Sequence, residues 1–378
     1  MQATVFAGYA DRNASLFRRL RVPLGDPAAW VQLPGQTIAL VRDLEMDRVT
    51  QLSSCQAVTC PAQHAPDGGL SADRETATAQ ALAEMLCRHG VNRVQVDRTL
   101  PYIYADAMTS RGLSLQFDAD LGVTDRRAKS EQEVEALAES QRVTEQVMRQ
   151  VCETIAAARA DATGQLVDDD GPLTSERLKS MAAIEFLRHG YTSDHGSIVA
   201  STPEVADCHH SGTGPLKTGQ TIVVDLFPRS QKTRYWGDCT RTVVHGEASQ
   251  EAAKMHAAVV RAKQACEAML ITGNLAGDAH RASEIELVRS GYEPSRGTIT
   301  DQASIQHGTG HGIGLDLHEP ILLDEGGPAL VLGEVLTVEP GLYGRLVGGV
   351  RVEDMVVVTD DGPRNLNRLP QGLDWRAS

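Results

Sequence analysis

Three histidines in a glycine-rich segment are the first residues of the chain whose types and spacing could do chemistry. His307, His311 and His318 lie within residues 305–319, and glycines stand on both sides of His311. Glycine removes side-chain bulk and permits unusual backbone angles, so the backbone there can approach a bound group closely. The segment is therefore a candidate for a binding site.

Four acidic residues add to this candidate, because each interrupts an apolar, β-branched run of the kind that forms buried strands. They are Asp225, Asp238, Glu339 and Glu353. Burying an unpaired carboxylate is very costly, so each of them needs a partner. A single buried acid is more often a satisfied structural carboxylate than a metal ligand. Four acids and one histidine on five separate elements, however, are most economically explained by bound cations.

The donor types predict the ions and the reaction. Four carboxylates cancel the charge of two divalent ions, whereas a single ion would be over-neutralised. Oxygen-rich ligation with one imidazole and no thiolate favours Mn²⁺, with Co²⁺, Fe²⁺ or Zn²⁺ as alternatives. Two ions about 3.5–4 Å apart can share a bridging water, lower its pKa and polarise a scissile carbonyl. The predicted chemistry is metal-assisted hydrolysis, with Asp225 and Asp238 opposite each other if their strands pair.

The elements that position these residues follow from periodicity. At 378 residues the chain is long enough for two domains. Residues 1–125 predict a small α/β domain, with strands at 37–41, 91–96 and 113–117 and helices at 73–89 and 100–110. No phosphate-binding glycine loop occurs there, so this domain is assigned no chemistry.

The second domain, residues 126–378, contains a weak repeat. A long helix follows residue 130, a polar loop is expected over 161–171, and Thr174 is a candidate cap for a helix that ends in Leu187-Arg-His-Gly-Tyr191. The ending returns as Val288-Arg-Ser-Gly-Tyr292, after predicted helices at 249–270 and 276–290. The repeated order of two helices and then strands predicts two similar halves that face each other across a cleft.

The composition excludes several partners. A net charge of −14 argues against nucleic-acid backbones and anionic membranes. The seven cysteines are spread along the chain without a C-x-x-C pair, which indicates reduced thiols. Cys208 and Cys239 stand next to candidate site residues, but nothing in the sequence indicates a function for either thiol. No apolar run approaches the length of a membrane span, and the first residues lack a signal-peptide pattern, so a cytoplasmic location is expected.

Five motifs, in order, resemble those of the pita-bread metallopeptidases, which include Xaa-Pro dipeptidase (prolidase), aminopeptidase P and methionine aminopeptidase. They are Val-Val-Asp225, Gly-Asp238-Cys-Thr-Arg-Thr, His307-Gly-Thr-Gly-His311-Gly-Ile-Gly-Leu-Asp-Leu-His318-Glu, Thr-Val-Glu339-Pro-Gly-Leu-Tyr and Val-Arg351-Val-Glu353-Asp. The resemblance covers about residues 197–358. It implies an α/β (α+β) fold, with a creatinase-like N-terminal domain (1–125) before a pita-bread catalytic domain (126–378) of pseudo-twofold halves.

The resemblance also implies a set of metal ligands. Asp238 and Glu353 would bridge two ions, Asp225 would hold one ion, and His311 and Glu339 would hold the other. Glu339 is expected to act in catalysis as well as in metal binding.

Further roles are implied around the ions. His318 matches the histidine that contacts the substrate carbonyl and its tetrahedral intermediate. His209 matches a histidine at the substrate pocket, with His210 as the alternative because the loop fits either register. Arg351 matches an arginine that supports the bridging glutamate. His307 is interpreted as an outer-sphere or packing histidine.

The function implied is an exopeptidase that cuts short peptides before proline, either an Xaa-Pro dipeptidase or an Xaa-Pro aminopeptidase, and a homodimer. Same-fold enzymes with other substrates, such as ectoine hydrolase or dimethylsulfoniopropionate lyase, stay open as alternatives, as does a non-catalytic peptide-binding member. Asp225 is followed by Leu-Phe-Pro instead of the usual Asp-x-Gly pattern, and Ser201-Thr-Pro stands where a glycine often occurs. These departures bear on substrate choice more than on metal binding.

Overall fold

A boundary at Arg126 divides the chain into two compact units, Met1–Arg126 and Arg127–Ser378, in the computed structural model. The structure describes residues 1–376. Each unit has its own sheets, helices and apolar core.

The first unit is built on a six-stranded mixed sheet with the strand order β4-β3-β2-β1-β5-β6. The strands are β1 (Gln2–Tyr9), β2 (Pro27–Leu33), β3 (Gln36–Leu40), β4 (Ala57–Thr59), β5 (Arg93–Val96) and β6 (Ser114–Phe117). The helices are α1 (Ala14–Leu20), α2 (Met46–Leu52), α3 (Arg74–Arg88) and α4 (Tyr102–Ser110), and α5 (Thr124–Arg127) crosses the boundary. Single 3₁₀ turns span Asp43–Glu45 and Pro61–His64.

Local sequence explains much of this unit. Asp73 caps α3 by accepting a hydrogen bond from the Thr76 backbone N–H (2.8 Å), and the apolar face of α3, including Leu82 and Leu86, packs on the sheet. Gly35, at φ 78°, closes the two-residue turn between β2 and β3. The five elements predicted over this unit are all present, whereas β1, β2, α1 and α2 are not among them.

The second unit contains two helix pairs, each followed in the chain by sheet. The helices are α6 (Glu131–Ala157), α7 (Ser175–Arg188), α8 (Gln250–Glu267) and α9 (Ala276–Arg289); α6 packs on α7 and α8 on α9. Thr174 caps α7 through the Arg177 backbone N–H, as predicted. A capping box of Ser130 and Glu133 begins α6.

The strands of this unit form several small sheets. They are β7 (Arg159–Ala160), β8 (Leu166–Asp168), β9 (Gly171–Pro172), β10 (Tyr191–Thr192), β11 (Ser197–Ser201), β12 (Thr221–Leu226), β13 (Arg229–Ser230), β14 (Cys239–Val244), β15 (Gly310–Gly312), β16 (Glu319–Leu323), β17 (Val335–Val338), β18 (Gly341–Gly344), β19 (Gly348–Arg351), β20 (Asp354–Val357) and β21 (Arg364–Asn365). The prediction of a plain loop over 161–171 is wrong, because β7, β8 and β9 form a short meander there.

Two sheets carry the acidic residues of interest. One has the order β11-β12-β14, and the other has the order β16-β15-β17-β20-β21. Every residue of β12, β14, β17 and β20 is buried, which explains their apolar, β-branched sequences. The first sheet follows α6 and α7, and the second follows α8 and α9, so the order predicted from the repeat occurs twice.

A buried ionic cluster joins these sheets to α8. Asp354 accepts hydrogen bonds from Arg241 (2.8 Å) and from Lys263, and all three residues are fully buried. Arg241 also donates to the backbone carbonyl of Glu353 (2.6 Å), so the cluster fixes the backbone beside a predicted ligand. Burial alone would raise the pKa of Asp354, but the two cations outweigh it and hold the pKa below its usual value.

Replacing Asp354 with asparagine should destabilise the protein by about 3–5 kcal/mol, because it leaves the buried Arg241 without a carboxylate partner and leaves Lys263 paired only with Glu267. Urea denaturation of chelator-treated protein, followed by circular dichroism, would measure the loss. The matched control is Asp374→Asn, which breaks an exposed pair with Arg376 and should leave the stability nearly unchanged. Equal stability of the two variants would contradict the prediction.

Candidate metal centre

Asp225 and Asp238 are positioned by two neighbouring strands. β12 pairs antiparallel with β14, and Asp225 lies opposite Thr240. The prediction that the two acids lie directly opposite each other is therefore wrong in register, because Asp238 precedes the first residue of β14. Alternate residues of an extended chain share a face, so Asp238, two positions before Thr240, still lies on the side of Asp225.

The second sheet supplies the other three predicted donors. His311 is the central residue of β15. Glu339 directly follows β17, and its backbone N–H donates to the carbonyl of Thr309 (2.7 Å). Glu353 directly precedes β20, and its N–H donates to the carbonyl of Thr240 (3.1 Å). This last hydrogen bond joins Glu353, the residue before β20, to Thr240 of β14, and so brings Glu353 toward Asp238.

The glycines around His311 serve strand packing. A Cβ added to Gly310 would lie 2.0 Å from the carbonyl oxygen of Thr337, and one added to Gly312 would lie 2.8 Å from the carbonyl oxygen of Glu319. The close backbone approach inferred from the sequence is present, and the protein atoms that it meets belong to neighbouring strands.

All five predicted donors line one cavity of about 540 Å³. The ring nitrogen Nε2 of His311 lies 3.7 Å from Asp238 Oδ2 and 3.5 Å from Glu339 Oε1. Donor atoms of Asp238, His311 and Glu353 all lie within 4.8 Å of one another. The structure thus brings together carboxylates and an imidazole from two sheets.

The tautomer of His311 fits a cation at this place. Its Nδ1 lies 3.0 Å from the backbone carbonyl of Gly312, which can only accept, so the proton is on Nδ1. Burial, and then the neighbouring His318, lower the pKa of His311 to about 3, so the ring is neutral. The lone pair of Nε2 therefore faces carboxylate oxygens, an arrangement that is repulsive unless a proton or a metal cation lies between them.

The buried carboxylates would also be stabilised by a bound cation. Burial raises the pKa of Asp238, with Glu353 as the next cause, and burial together with Glu339 raises the pKa of Glu353. Burial also raises the pKa of Glu339 to about 7. Oδ1 of Asp225 is buried without a hydrogen-bond partner. Bound divalent ions would satisfy all of these groups, so the residues present fit a metal centre.

Metal-free protein should lose stability as the pH rises from about 4.5 to above 7. The folded state holds protons on Glu339, Asp238 and Glu353 that unfolded carboxyl groups, with pKa values of about 4, have already released. Stability is greatest where both states are protonated and falls as the pH passes the raised pKa values. Thermal unfolding at pH 5 and pH 8 measures this. Identical melting at both pH values would contradict the clustering of the acids.

Arg351 contacts Asp225 directly and is linked to the predicted glutamate, Glu353, through one hydroxyl group. Its Nη2 donates to Asp225 Oδ2 (2.6 Å), and its Nε donates to the hydroxyl of Thr240 (3.1 Å). That hydroxyl in turn donates to Glu353 Oε2 (2.8 Å). Arg351 therefore acts on Asp225 directly and reaches Glu353 only through Thr240, because Asp225 lies nearer to the fork of its guanidinium group.

His307 belongs to a chain of hydrogen bonds that ends at Arg351. Its Nδ1 donates to the carbonyl of Gly308 (2.7 Å), and its Nε2 accepts from the hydroxyl of Tyr343 (2.8 Å). The Tyr343 oxygen accepts from Arg351 Nη1 (2.9 Å). Burial lowers the pKa of His307 to about 4, which keeps it a neutral acceptor. The chain orients Arg351 toward the acids.

Three further histidines line the open side of the cavity. The ring of His318 lies 4.3 Å from that of His311, edge to face, and its side chain is exposed. His209 lines the cavity, whereas His210 accepts from the Gly212 N–H through Nδ1 and lies against Glu204. The third is His195, which the sequence analysis missed.

His195 is stacked on Trp236 at 5.1 Å between ring centroids. Its loop precedes β11, and Trp236 comes from the loop after β13. The contact depends on the fold of both loops, and the sequence contains no spacing that could have indicated it.

Residues 135–360 match the sequence model of metallopeptidase family M24. The chain belongs to this family. M24 proteins are metal-dependent, which agrees with the donor set described above. None of the helices within residues 1–376 is long and apolar enough to cross a membrane.

Curated M24 relatives include peptidases of two kinds. A probable dipeptidase, PepE, of Mycobacterium tuberculosis is 29% identical over 250 residues, which cover 66% of this chain and 60% of the relative. The Xaa-Pro aminopeptidase 1 of Streptomyces coelicolor is 32% identical over 244 residues, 56% of this chain and 49% of the relative. The chain thus spans about half to three fifths of the length of these M24 relatives.

A solved structure establishes the fold of this M24 chain. The Xaa-Pro dipeptidase from Bacillus anthracis superposes with a TM-score of 0.81, covers 98% of this chain and 94% of its own, and is 19% identical. The predicted class, a mixed α/β fold with the pita-bread architecture, is confirmed. The description of residues 1–125 as a creatinase-like domain stays a prediction.

Proposed function

We propose that this M24 chain is a dinuclear metal-dependent exopeptidase that hydrolyses the bond before proline in short peptides, as an Xaa-Pro dipeptidase or an Xaa-Pro aminopeptidase. The observation that carries the proposal is the neutral His311, whose Nε2 lone pair faces carboxylates within a buried group of four acids. The names of the M24 relatives, a dipeptidase and an Xaa-Pro aminopeptidase, support a peptide substrate.

The proposed ligands are assigned as the resemblance implies. Asp225, Asp238, His311, Glu339 and Glu353 would hold the two ions, with Asp238 and Glu353 shared between them, and Mn²⁺ would be favoured over Co²⁺, Fe²⁺ and Zn²⁺. When bound, the ions lower the pKa of a shared water and polarise the scissile carbonyl.

The remaining chemistry belongs to side chains of the cleft. Glu339 is the most accessible of the proposed ligands, at 20% side-chain exposure, so its carboxylate is the group placed to accept the proton of the attacking water. His318, neutral because burial lowers its pKa, donates a ring N–H to the carbonyl oxygen as negative charge develops there. His209, which lines the same cavity, contacts the substrate. Arg351 holds Asp225 in place.

A substrate panel tests this function. Protein loaded with Mn²⁺ would be incubated with Xaa-Pro dipeptides, Xaa-Pro-Xaa tripeptides, matched Xaa-Ala peptides, ectoine and dimethylsulfoniopropionate, and its metal content measured. Cleavage of only the proline peptides supports the proposal, and the preferred length decides between dipeptidase and aminopeptidase. Turnover of only the non-peptide compounds would favour the other enzymes of this fold. Binding without turnover would indicate a non-catalytic member, which the complete donor set argues against.

We also propose, from the resemblance, that the protein is a homodimer located in the cytoplasm. Light scattering at micromolar concentration should give twice the mass of one chain. A monomer mass would remove the dimer proposal and leave the metal centre unaffected, because all five proposed ligands come from one chain.

A further inference from the structure

Three consecutive residues on the wall of the cleft present different metal-binding atoms to one another. Asp207, Cys208 and His209 follow the 3₁₀ turn Glu204–Ala206, and a carboxylate oxygen, a thiol sulfur and a ring nitrogen from them lie within 4.8 Å of one another. Cys208 and His209 line the same cavity as the proposed ligands, and Asp207 is exposed. The sequence alone indicates no role for Cys208.

The backbone of this tripeptide is held in place from several sides. The carbonyl of Cys208 accepts from Arg351 Nη1 (3.2 Å), and the N–H of His209 donates to Asp207 Oδ1 (3.0 Å). The carbonyl of Ala206, just before it, accepts from the side chain of Gln306 (3.0 Å). The three donor atoms are therefore already close together, so binding an ion costs little conformational entropy of the chain.

The donor chemistry differs from that of the buried acids. One thiolate, one imidazole and one carboxylate are a ligand set typical of Zn²⁺, whereas four carboxylates with one imidazole favour harder ions. Ligand atoms around a tetrahedral Zn²⁺ are about 3.3–3.8 Å apart, as its bond lengths of about 2.0–2.3 Å require. The side chains need to close by only about 1 Å, which their partial exposure permits. A fourth position stays open to water or substrate.

A nucleophilic role for Cys208 is the weaker interpretation. Burial raises the pKa of its thiol, with Arg351 opposing the rise, so the free side chain is mainly protonated at neutral pH. A thiol that binds an ion needs no such activation, because the ion displaces the proton.

We propose that Asp207, Cys208 and His209 form a separate Zn²⁺ site in the wall of the cleft, and that its occupation inhibits the enzyme by removing His209 from the substrate. The binding part stands on the tripeptide geometry alone. The inhibition part rests on the proposed peptidase function.

Alkylation of cysteines tests the binding part. Protein already loaded with Mn²⁺ would be treated with iodoacetamide, with and without Zn²⁺, and the modified cysteines identified by peptide mass spectrometry. Zn²⁺ should slow the alkylation of Cys208, because the bound ion occupies the sulfur electron pair that attacks the reagent. Cys55 and Cys87, which are also partly exposed, are internal controls and should react at the same rate in both samples.

Two variants separate this site from the buried acids. Asp207→Asn keeps an oxygen that can accept from the His209 N–H but loses the charge, and Cys208→Ser loses the thiolate. Each should bind one Zn²⁺ fewer per chain than wild type in competition with a chromogenic chelator. Unprotected Cys208 in wild type, or equal Zn²⁺ binding by wild type and both variants, would overturn the site.

Inhibition is measured separately, with an Xaa-Pro peptide and Mn²⁺-loaded protein. Zn²⁺ should inhibit wild type at concentrations at least about tenfold lower than either variant, with the activity of each protein expressed relative to its own activity in the absence of Zn²⁺. Equal inhibition of all three proteins would remove the inhibitory role. If no peptide is cleaved by any of them, the proposed function fails, and the alkylation and binding results still decide whether the Zn²⁺ site exists.

Discussion

Removing the metal should abolish peptidase activity, and adding Mn²⁺ or Co²⁺ should restore it best. The ions supply several kcal/mol of charge stabilisation and an ionised water near neutral pH. Because each 1.4 kcal/mol corresponds to a factor of ten, the metal-free protein should be slower by at least about 10³-fold. The preference for Mn²⁺ or Co²⁺ follows from four carboxylates and one imidazole without a thiolate among the proposed ligands. Activity assays after dialysis against a chelator, and after addition of each ion, measure the effect.

Two variants show whether the proposed donors are responsible. Asp238→Asn should bind less metal and regain little activity with any ion, because Asp238 is proposed to bridge both ions. Asp324→Asn is the matched control, since Asp324 lines the same cavity but pairs with Arg296 and belongs to neither ligand set. It should bind two ions and recover normally. Full activity of metal-free wild type would remove the peptidase proposal.

Residue types and order were enough to predict the fold class and to select five residues that the structure brings to one cavity. Asp225 lies within a fully buried strand, and Glu339 directly follows another. A charged residue in such an apolar run can be recognised from the sequence alone. The repeated order of two helices and then strands was equally visible, because helix caps such as Thr174 are local signals.

The register of the strands was not predictable in the same way. The loop between β12 and β14 does not determine which residues pair, so Asp225 was expected opposite Asp238 but lies opposite Thr240. The direct contact between Arg351 and Asp225 was not predictable for a related reason. The reach of a guanidinium group to Asp225 depends on how β19 and β12 approach each other, and two distant segments of sequence do not specify that distance.

Other differences also have non-local causes. β1 and β2 are rich in small apolar residues, such as Ala7, Ala28 and Ala29, which are buried by packing from both sides but give no alternation to detect. Gly310 makes room for the carbonyl of Thr337 on the next strand, a neighbour that the sequence around Gly310 does not indicate. Each of these depends on which neighbour the fold supplies.

Replacing His318 with alanine should separate chemistry from metal binding. His318 is exposed in the cleft and lies beside His311, but it is not needed to complete the five proposed ligands. If it steadies charge on the carbonyl oxygen, it acts mainly in the transition state. Loss of one such donor lowers kcat by roughly 10²–10³-fold, about 3–4 kcal/mol. His318→Ala should therefore keep two ions per chain and a near-normal melting curve, with little change in KM.

His311→Ala is the variant to compare with His318→Ala. The two rings are neighbours in one segment, but only His311 is a proposed metal ligand. Nε2 of His311 faces Asp238 and Glu339, so its loss should lower metal occupancy before it lowers the rate of the fully loaded protein. Metal content by plasma emission spectroscopy and kcat at saturating Mn²⁺ distinguish the two variants. If His318→Ala released metal or kept full turnover, its catalytic role would be withdrawn, since a donor to the transition state does neither.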